Sequence, residues 1–280
     1  MTLLALAELA HGVLDPAAPV LHADDEGVLR GRAVFETLRV YGGTPFKLEA
    51  HLERFGASAK RLRLPEPPYG EFSSAAAAAV RAGGRSDVTL RLLWTAGREG
   101  DGTPLGLALV SALPAGLEEL RARGLKLAVV RWAPGLLAGA KSTSYAENIF
   151  AQHEAAEAGA DDALLVDSDG TVLEAPTSNV WFREGTRLLT PSLELPVLAG
   201  VTRATLCELA PELGYQVEEG SYPLERLLQS DEVFLTSSVR EVAAVVAVDG
   251  RAVGAGSPGP AAVALQRGLR VAAGYPEPHE

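Results

Sequence analysis

The segment Ala138–Tyr145, with the sequence AGAKSTSY, places one lysine between two regular elements. Leu125–Trp132 before it has the composition of a buried strand, and we predict a helix from Tyr145 to Ala158. A lysine just ahead of a helix faces the positive end of the helix dipole, so Lys141 gains no structural benefit there. Lys141 is therefore either a surface lysine in a loop or a desolvated amine able to form an imine with an aldehyde.

Glu174 lies in Thr171–Pro176 (TVLEAP), at the end of a predicted strand with apolar neighbours. Glutamate is depleted in strands and is rarely buried without a partner. A pyridine nitrogen is such a partner, because a carboxylate beside it keeps the nitrogen protonated. A structural interpretation stays open, in which Glu174 pairs with an arginine or faces water on an edge strand.

Three further features fit a bound phosphate. The helix start Gly200–Thr205 (GVTRAT) offers backbone N–H groups and a hydroxyl, although Thr202 is equally a good N-cap. A hydroxyl cluster, Thr236-Ser237-Ser238, follows the predicted strand residues Glu232–Leu235 at a turn. Arg54 is predicted on the side of its helix opposite the apolar stripe, where solvation is usual, but a guanidinium fork also binds phosphate.

The order of elements predicts an α+β fold. We expect a small α+β domain over residues 1–113, a connection over 114–124 and a larger domain over 125–280. The predicted strands are Ala33–Tyr41, Val88–Thr95, Leu105–Ala112, Leu125–Trp132, Asp162–Asp167, Thr171–Ala175, Val180–Arg183, Arg187–Thr190, Glu232–Thr236 and Val242–Val248. The predicted helices are Leu48–Leu64, Phe72–Ala82, Pro114–Arg123, Tyr145–Ala158, Thr202–Leu213, Leu224–Gln229 and Pro260–Ala273.

Composition argues against several classes of function. The formal net charge of -11 would repel a nucleic-acid backbone. The single cysteine, Cys207, forbids a disulfide within the chain, and its helical neighbours indicate a buried small hydrophobe. The five histidines lack metal-ligand spacing, so we expect no metal. No uncharged apolar run approaches the roughly 20 residues that span a bilayer, and we expect a cytoplasmic protein.

Together these features resemble the class IV (fold type IV) family of pyridoxal-phosphate enzymes. The resemblance covers nearly the whole chain. It is carried by GRAVFETLR (31–39), HLERF (51–55), KSTSYAEN (141–148), LEAPTSNVWF (173–182), GVTR (200–203) and FLTSSVREV (234–242). The family includes branched-chain aminotransferases, D-amino acid aminotransferases and 4-amino-4-deoxychorismate lyases.

The resemblance implies a cofactor, a fold and site residues. The cofactor is pyridoxal 5′-phosphate, and the fold is a small α+β domain with a larger pseudo-barrel domain. Lys141 is implied as the cofactor lysine and general acid/base, and Glu174 as the partner of the pyridine nitrogen. The implied phosphate ligands are Arg54, Val201, Thr202, Thr236 and Ser237, and Tyr145 is implied near the ring. A homodimer acting on a small-molecule amino substrate is also implied.

The choice among family members depends on the pocket, because transamination and the lyase reaction share their first steps. Tyr145 follows Lys141 by four residues, as in the lyase group. Ala96 stands where the family often has the arginine of a TRG sequence, and GRAVFE stands for the usual GDGVFE. We therefore expect a 4-amino-4-deoxychorismate lyase-like enzyme; the alternatives are an aminotransferase of the D-amino acid or branched-chain type and a non-catalytic protein of the same fold. The candidates for binding a substrate carboxylate are Arg32, Arg39, Arg91 and Arg98.

Overall fold

The computed structural model describes residues 2–275, and the chain divides into two compact units. Unit 1 comprises Met1–Ala115 with Ala140–Tyr145, and unit 2 comprises Gly116–Gly139 with Ala146–Glu280. The chain therefore returns to unit 1 for one short segment, and this segment carries Lys141. The domain division into residues 1–113, 114–124 and 125–280 stays a prediction.

Unit 1 is an antiparallel sheet with helices against it. Within the described residues the sheet has the strand order β2-β1-β6-β5-β3-β4. Its strands are β1 (Leu3–Glu8), β2 (Gly12–Leu14), β3 (Ala33–Tyr41), β4 (Thr44–Pro45), β5 (Val88–Thr95) and β6 (Gly106–Ala112). Its helices are α1 (Glu26–Arg30), α2 (Leu48–Arg61) and α3 (Tyr69–Ala82).

The core of unit 1 lies between this sheet and α2 and α3. Phe55 and Phe72 are fully buried and pack edge-to-face, with ring centroids 5.1 Å apart. Phe72 makes a second such contact with Trp94, at 5.8 Å. Buried alanines such as Ala76 and Ala79 let α3 approach the strands closely. One face of β3 and β5 therefore packs in the core, and the opposite face points away from it.

The strand prediction for Ala33–Tyr41 is confirmed residue for residue. Gly42 and Gly43, in the turn after it, have the positive φ angles that glycine adopts readily. The predicted helix Leu48–Leu64 ends earlier, at Arg61. Arg63 takes a left-handed conformation with φ 55°, which stops the helix before Pro65 is reached.

Unit 2 has a mixed sheet with the path β12-β11-β10-β13-β14-β7-β8 within the described residues. The strands are β7 (Leu125–Arg131), β8 (Asp162–Val166), β9 (Glu174–Ala175), β10 (Ser178–Glu184), β11 (Arg187–Pro191), β12 (Gln216–Gly220), β13 (Glu232–Ser237), β14 (Glu241–Val248) and β15 (Arg251–Ala252). The helices are α4 (Leu117–Arg123), α5 (Ala146–Glu157), α6 (Val201–Leu209), α7 (Leu224–Leu228) and α8 (Pro260–Ala272), with a 3₁₀ turn at Pro211–Leu213.

Two sequence predictions in unit 2 are wrong in detail. The predicted helix Thr202–Leu213 divides into α6 and the 3₁₀ turn, because Pro211 has no N–H to continue the helical ladder. The predicted strand Thr171–Ala175 is a regular strand only at Glu174–Ala175. Ahead of it, Val172 forms one bridge with Val166, and hydrogen bonds join the Asp167 amide to the Thr171 carbonyl and the Leu173 amide to the Leu165 carbonyl. Beyond that bridge Glu174 and Ala175 pair with β10 instead.

Candidate functional site

The backbone around Lys141 is fixed against the edge of β3. Val34 and Ser142 form an antiparallel bridge, which sets Lys141 opposite Phe35. The amide of Phe35 donates to the Lys141 carbonyl at 3.0 Å. The amide of Lys141 donates to Ser58 Oγ, on α2, at 3.1 Å. Lys141 is thus held by hydrogen bonds on both sides, unlike a lysine in a free loop.

The side chain of Lys141 lies against an aromatic ring. Its Nζ is 4.6 Å from the centroid of the Phe35 ring, and the ring of Tyr145 meets Phe35 edge-on at 5.3 Å. Lys141 is half-buried. The other lysines of the chain are all exposed; they are Lys47, Lys60 and Lys126. Lys141 is therefore the lysine whose environment is suited to a desolvated nucleophile.

Arg54 is anchored by a carboxylate in the core of unit 1. Its Nε and Nη2 donate to Glu36 Oε1 and Oε2 at 2.8 and 2.6 Å. His51 Nδ1 lies 2.7 Å from Glu36 Oε2. The prediction that Arg54 lies opposite the apolar stripe is wrong, since its side chain is only 11% exposed and flanks buried His51 on α2. Glu36 fixes the orientation of this guanidinium fork.

The protonation states of this cluster follow from burial and charge. Burial raises the pKa of the Glu36 carboxyl, but the charge and hydrogen bonds of Arg54 and a hydrogen bond from His51 outweigh it and bring that pKa to about 2. Burial lowers the pKa of His51, although the hydrogen bond to Glu36 opposes this. At neutral pH an ionised Glu36 therefore accepts from a cationic Arg54 and a neutral His51.

Glu174 is held in place by two amides of unit 2. Its Oε2 accepts from Asn179 Nδ2 at 3.1 Å and from the Leu198 amide at 3.0 Å. Asn179 also donates to the Leu198 carbonyl at 2.8 Å, which ties β10 to the loop before α6. A Cβ on Gly200 would overlap Asn179 Oδ1. Glu174 is therefore a half-buried carboxylate that is held in a fixed orientation.

The first turn of α6 has no side-chain cap, because Gly200 occupies the N-cap position with extended φ and ψ of -68° and 130°. Val201 and Thr202 follow it and are buried. Arg203 turns away from this end, donating to the Pro191 carbonyl at 2.9 Å and to Glu219 at 2.5 Å. The helix start therefore combines uncapped N–H groups with a buried hydroxyl, a combination that binds anions.

The predicted hydroxyl pair lies at the end of β13. Thr236 Oγ1 accepts from Trp181 Nε1 at 3.2 Å, and Thr236 is 2% exposed. Ser237 Oγ accepts from the Arg240 amide at 3.3 Å and so closes the turn into β14. Both hydroxyl oxygens act as acceptors within the protein, which leaves their hydrogens able to donate to an anion.

Two of the four candidate arginines for a substrate carboxylate are bound to carboxylates of unit 1. Arg98 holds Asp24 with Nε and Nη2, the latter at 2.8 Å. Arg32 forms an ion pair with Glu26. Both guanidinium groups are therefore occupied by other carboxylates.

The other two candidates lie on β3 and β5. Arg39 is 5% exposed and its Cζ lies 4.8 Å from the centroid of the Tyr41 ring. Arg91 is exposed, and its Cζ lies 5.5 Å from the centroid of Phe35. Phe35 is the same ring that Lys141 contacts.

Four residues of the candidate site were not predicted from the sequence: Glu36, His51, Phe35 and Asn179. A signal was present for two of them. Glu36 alternates with the apolar residues Val34 and Leu38 in a predicted strand. His51 falls on the apolar side of α2 beside Leu52 and Phe55. Two polar residues predicted on buried faces indicate that they pair with each other.

Within residues 2–275, no group of three or more His, Cys, Asp and Glu side chains is arranged to hold a metal ion. In the same range, no helix is both long and apolar enough to cross a bilayer.

Comparison with known proteins places the chain in a family. The model of the family described as amino-transferase class IV matches residues 33–248. A relative from Mycobacterium tuberculosis, named a bifunctional aminodeoxychorismate lyase / D-amino acid transaminase, is 36% identical over 258 residues, covering 85% of this chain and 89% of the relative. The chain belongs to the class IV aminotransferase family, and it is an enzyme of that family.

Solved structures agree with this assignment. A hypothetical aminotransferase from Mycobacterium tuberculosis in its PLP-bound form superposes with a TM-score of 0.89 at 34% identity, over 96% of this chain and 98% of that chain. The fold IV-transaminase CpuTA1 from Curtobacterium pusillum gives 0.87 at 34% identity, over 95% and 97%. The predicted α+β, fold type IV class is thereby confirmed.

Proposed function

We propose that the protein is a pyridoxal-5′-phosphate-dependent enzyme that acts on a small amino substrate, and that its reaction is of the 4-amino-4-deoxychorismate lyase type. The observation that carries the proposal is Lys141. It is the half-buried lysine of the chain, hydrogen-bonded through its backbone to β3 and α2, with Nζ against Phe35. That environment favours a nucleophilic amine over a solvated surface cation.

The residues of the chain match the parts of this cofactor. Lys141 supplies an amine for the aldehyde, and the oriented carboxylate of Glu174 suits the pyridine nitrogen. Arg54 supplies a fixed guanidinium for the phosphate. The other phosphate donors are Val201, Thr202, Thr236 and Ser237. When bound, the cofactor withdraws electrons from the substrate carbon next to the nitrogen and so weakens the C–H bond there.

Each residue then has a definite task. Lys141 would hold the cofactor through its amine, and its Nζ, once freed by a substrate amine, would take the proton from the substrate carbon. Glu174 would keep the pyridine nitrogen protonated. Glu36 would hold the Arg54 guanidinium in the orientation that it offers to the phosphate. Tyr145, packed on Phe35, limits the space beside Lys141.

The lyase assignment rests on the spacing of Lys141 and Tyr145 and on the name of the Mycobacterium tuberculosis relative. The lyase reaction expels pyruvate from aminodeoxychorismate and leaves 4-aminobenzoate. The same relative also carries the name of a D-amino acid transaminase, which favours aminotransfer as the second candidate. In that reaction Lys141 would also deliver the proton to the cofactor, and one water molecule would release the keto acid while the amino group stays on the cofactor.

The test is an assay of the purified protein, reconstituted with pyridoxal 5′-phosphate, on aminodeoxychorismate. We expect equimolar pyruvate and 4-aminobenzoate with no need for a keto acid, and no product from Lys141→Ala. Conversion of single amino acids to keto acids, with loss of the Lys141-linked absorbance band, would instead assign an aminotransferase. A colourless protein that cannot be reconstituted would contradict both and revive the non-catalytic alternative.

The homodimeric state and the cytoplasmic location stay predictions from the sequence. Analytical ultracentrifugation of the reconstituted protein tests the first, with a mass of two chains expected.

A further inference from the structure

Strands β10 and β13 of unit 2 have one apolar face and one face that carries part of the candidate site. Residues that are directly opposite in an antiparallel pair point to the same face. Asn179 is opposite Thr236, and Trp181 is opposite Phe234, so these four side chains share one face. The alternate residues of both strands, such as Val180, lie in the hydrophobic core on the other face. Trp181 is therefore a tryptophan on the same face as the candidate site.

The indole of Trp181 is fixed by its neighbours. Trp181 is fully buried, and its ring stacks on Phe234 with an interplanar angle of 8° and centroids 6.1 Å apart. Arg203, the residue after Thr202 on α6, has its Cζ 6.0 Å from the centroid of the same indole. The indole therefore lies beside both elements that carry proposed phosphate donors, α6 with Thr202 and β13 with Thr236.

The polar atom of the Trp181 side chain is directed at Thr236. Trp181 Nε1 donates to Thr236 Oγ1 at 3.2 Å, and Thr236 is buried as well. An indole N–H can donate but cannot accept a hydrogen bond. It therefore occupies one lone pair of the threonine oxygen, and the hydroxyl hydrogen is left to be donated to another group.

We propose that Trp181 is a positioning residue of the phosphate site, which makes the Thr236 hydroxyl a hydrogen-bond donor toward the phosphate of the cofactor. This inference deepens the proposed function and rests on it, since Thr236 must be one of the phosphate donors. A phosphate oxygen accepts hydrogen bonds, so a hydroxyl whose oxygen is already engaged is in the state that binds it. An apolar ring in place of the indole would fill the space but would leave the hydroxyl free to turn.

The first experiment compares Trp181→Phe with the wild type in the binding of two ligands to the apoprotein, pyridoxal 5′-phosphate and pyridoxal. Both ligands carry the ring and the aldehyde, and only the first carries the phosphate. We expect Trp181→Phe to weaken the binding of pyridoxal 5′-phosphate by about 5-fold, the effect of one lost hydrogen bond, and to leave the binding of pyridoxal unchanged. Absorbance titration measures both constants.

The matched control is Trp132→Phe, which removes an indole N–H from the same unit. Trp132 Nε1 donates to Glu147 Oε2 at 3.0 Å. We expect this variant to bind both ligands as the wild type does.

A double-mutant cycle separates positioning from packing. Thr236→Val removes the hydroxyl and keeps the shape of the side chain, and we expect it to weaken the binding of pyridoxal 5′-phosphate by about 10-fold. Trp181→Phe should cause no further loss in the Thr236→Val background, because the hydroxyl that it positions is absent. A loss of equal size in both backgrounds would show that Trp181 acts through packing alone.

The wild type gives a readout that needs no substitution at Trp181, in case Trp181→Phe does not fold. The chain has three tryptophans, so a proton–nitrogen correlation spectrum contains three indole signals. Trp94→Phe and Trp132→Phe identify two of them, and the third belongs to Trp181. We expect pyridoxal 5′-phosphate to move the Trp181 signal further downfield than pyridoxal does, because a hydroxyl that donates to an anion becomes a stronger acceptor.

Three results would overturn the inference. In the first, Trp181→Phe folds and binds pyridoxal 5′-phosphate as tightly as the wild type. In the second, it weakens the binding of both ligands by the same factor. In the third, the two ligands move the wild-type Trp181 signal equally. Each of these contradicts only the role of Trp181, whereas a wild type that takes up no pyridoxal 5′-phosphate overturns the proposed function as well.

Discussion

Glu36 and Arg54 form a buried fork in unit 1: Arg54 Nε and Nη2 donate to the two carboxylate oxygens of Glu36 at 2.8 and 2.6 Å. Glu36 is completely buried, and His51 shares its Oε2. An arginine that is free to rotate would lose side-chain entropy on binding a phosphate. Glu36 already orients the Arg54 guanidinium in the folded protein, so the phosphate that we propose as its ligand would not have to do so.

Replacing Glu36 tests this relationship through stability. The folded-state pKa of Glu36 is about 2, below its usual 4.5, so the ionised carboxylate stabilises the protein above about pH 4.5 and loses that effect as the pH falls toward 2. We expect Glu36→Gln to lower the free energy of unfolding at pH 7 by about 3 kcal/mol. Urea unfolding at pH 7 and at pH 3 measures the difference, which should shrink at the lower pH.

Glu53→Gln, an exposed substitution on the same helix, is the matched control and should change the free energy of unfolding by less than about 0.5 kcal/mol. If Glu36→Gln behaved like this control at both pH values, the buried fork would contribute nothing to stability.

Glu174→Gln tests the group assigned to the pyridine nitrogen. The amide oxygen of glutamine can still accept from Asn179 and Leu198, so the side chain should keep its place. It cannot hold a proton on the ring, and we expect kcat to fall by about 100-fold while the cofactor still binds. Steady-state kinetics and the absorbance spectrum measure the two effects separately.

Glu194→Gln, exposed in the same unit, should leave both quantities unchanged. Full activity in Glu174→Gln would show that this carboxylate only ties β10 to the loop before α6.

Gly259→Ala tests the packing that supports β13. The Glu232 carboxylate pairs with Arg183 at 2.7 Å and accepts from the Ala261 and Ala262 amides at the start of α8. A Cβ on Gly259 would overlap this carboxylate. We expect a loss of about 1–3 kcal/mol in the free energy of unfolding, measured with urea. In Gly135→Ala the new Cβ meets nothing within 4 Å, so that variant should be unaffected.

The local sequence predicts a strand of this fold accurately where the composition is strongly typical of a strand. β3 and β5 are recovered to the residue, because branched and aromatic residues fill them and glycines or polar residues bound them. β12 (Gln216–Gly220) was missed, since QVEEG has little apolar character and forms a strand by pairing in parallel with β11. A strand that forms through such pairing is not predictable from a short stretch of sequence, because its partner strand lies outside that stretch.

For the candidate site, too, the local sequence predicts some features and not others. The motifs name Lys141 and Glu174, but one hydrogen-bond partner of each comes from a distant part of the chain. Ser58 reaches the Lys141 amide across 83 residues, and Leu198 reaches Glu174 across 24. The pairing of Arg32 with Glu26 and of Arg98 with Asp24 needed the structure too, because these partners are recognisable only once the chain has folded.

The central claim is tested most directly by reductive trapping. The protein, reconstituted with pyridoxal 5′-phosphate, is treated with borohydride and digested, and its peptides are analysed by mass spectrometry. The chain has four lysines, Lys47, Lys60, Lys126 and Lys141, so the site of attachment is unambiguous. We predict the phosphopyridoxyl mass on Lys141 alone; its presence on one of the other three lysines instead, or on none, would contradict the assignment.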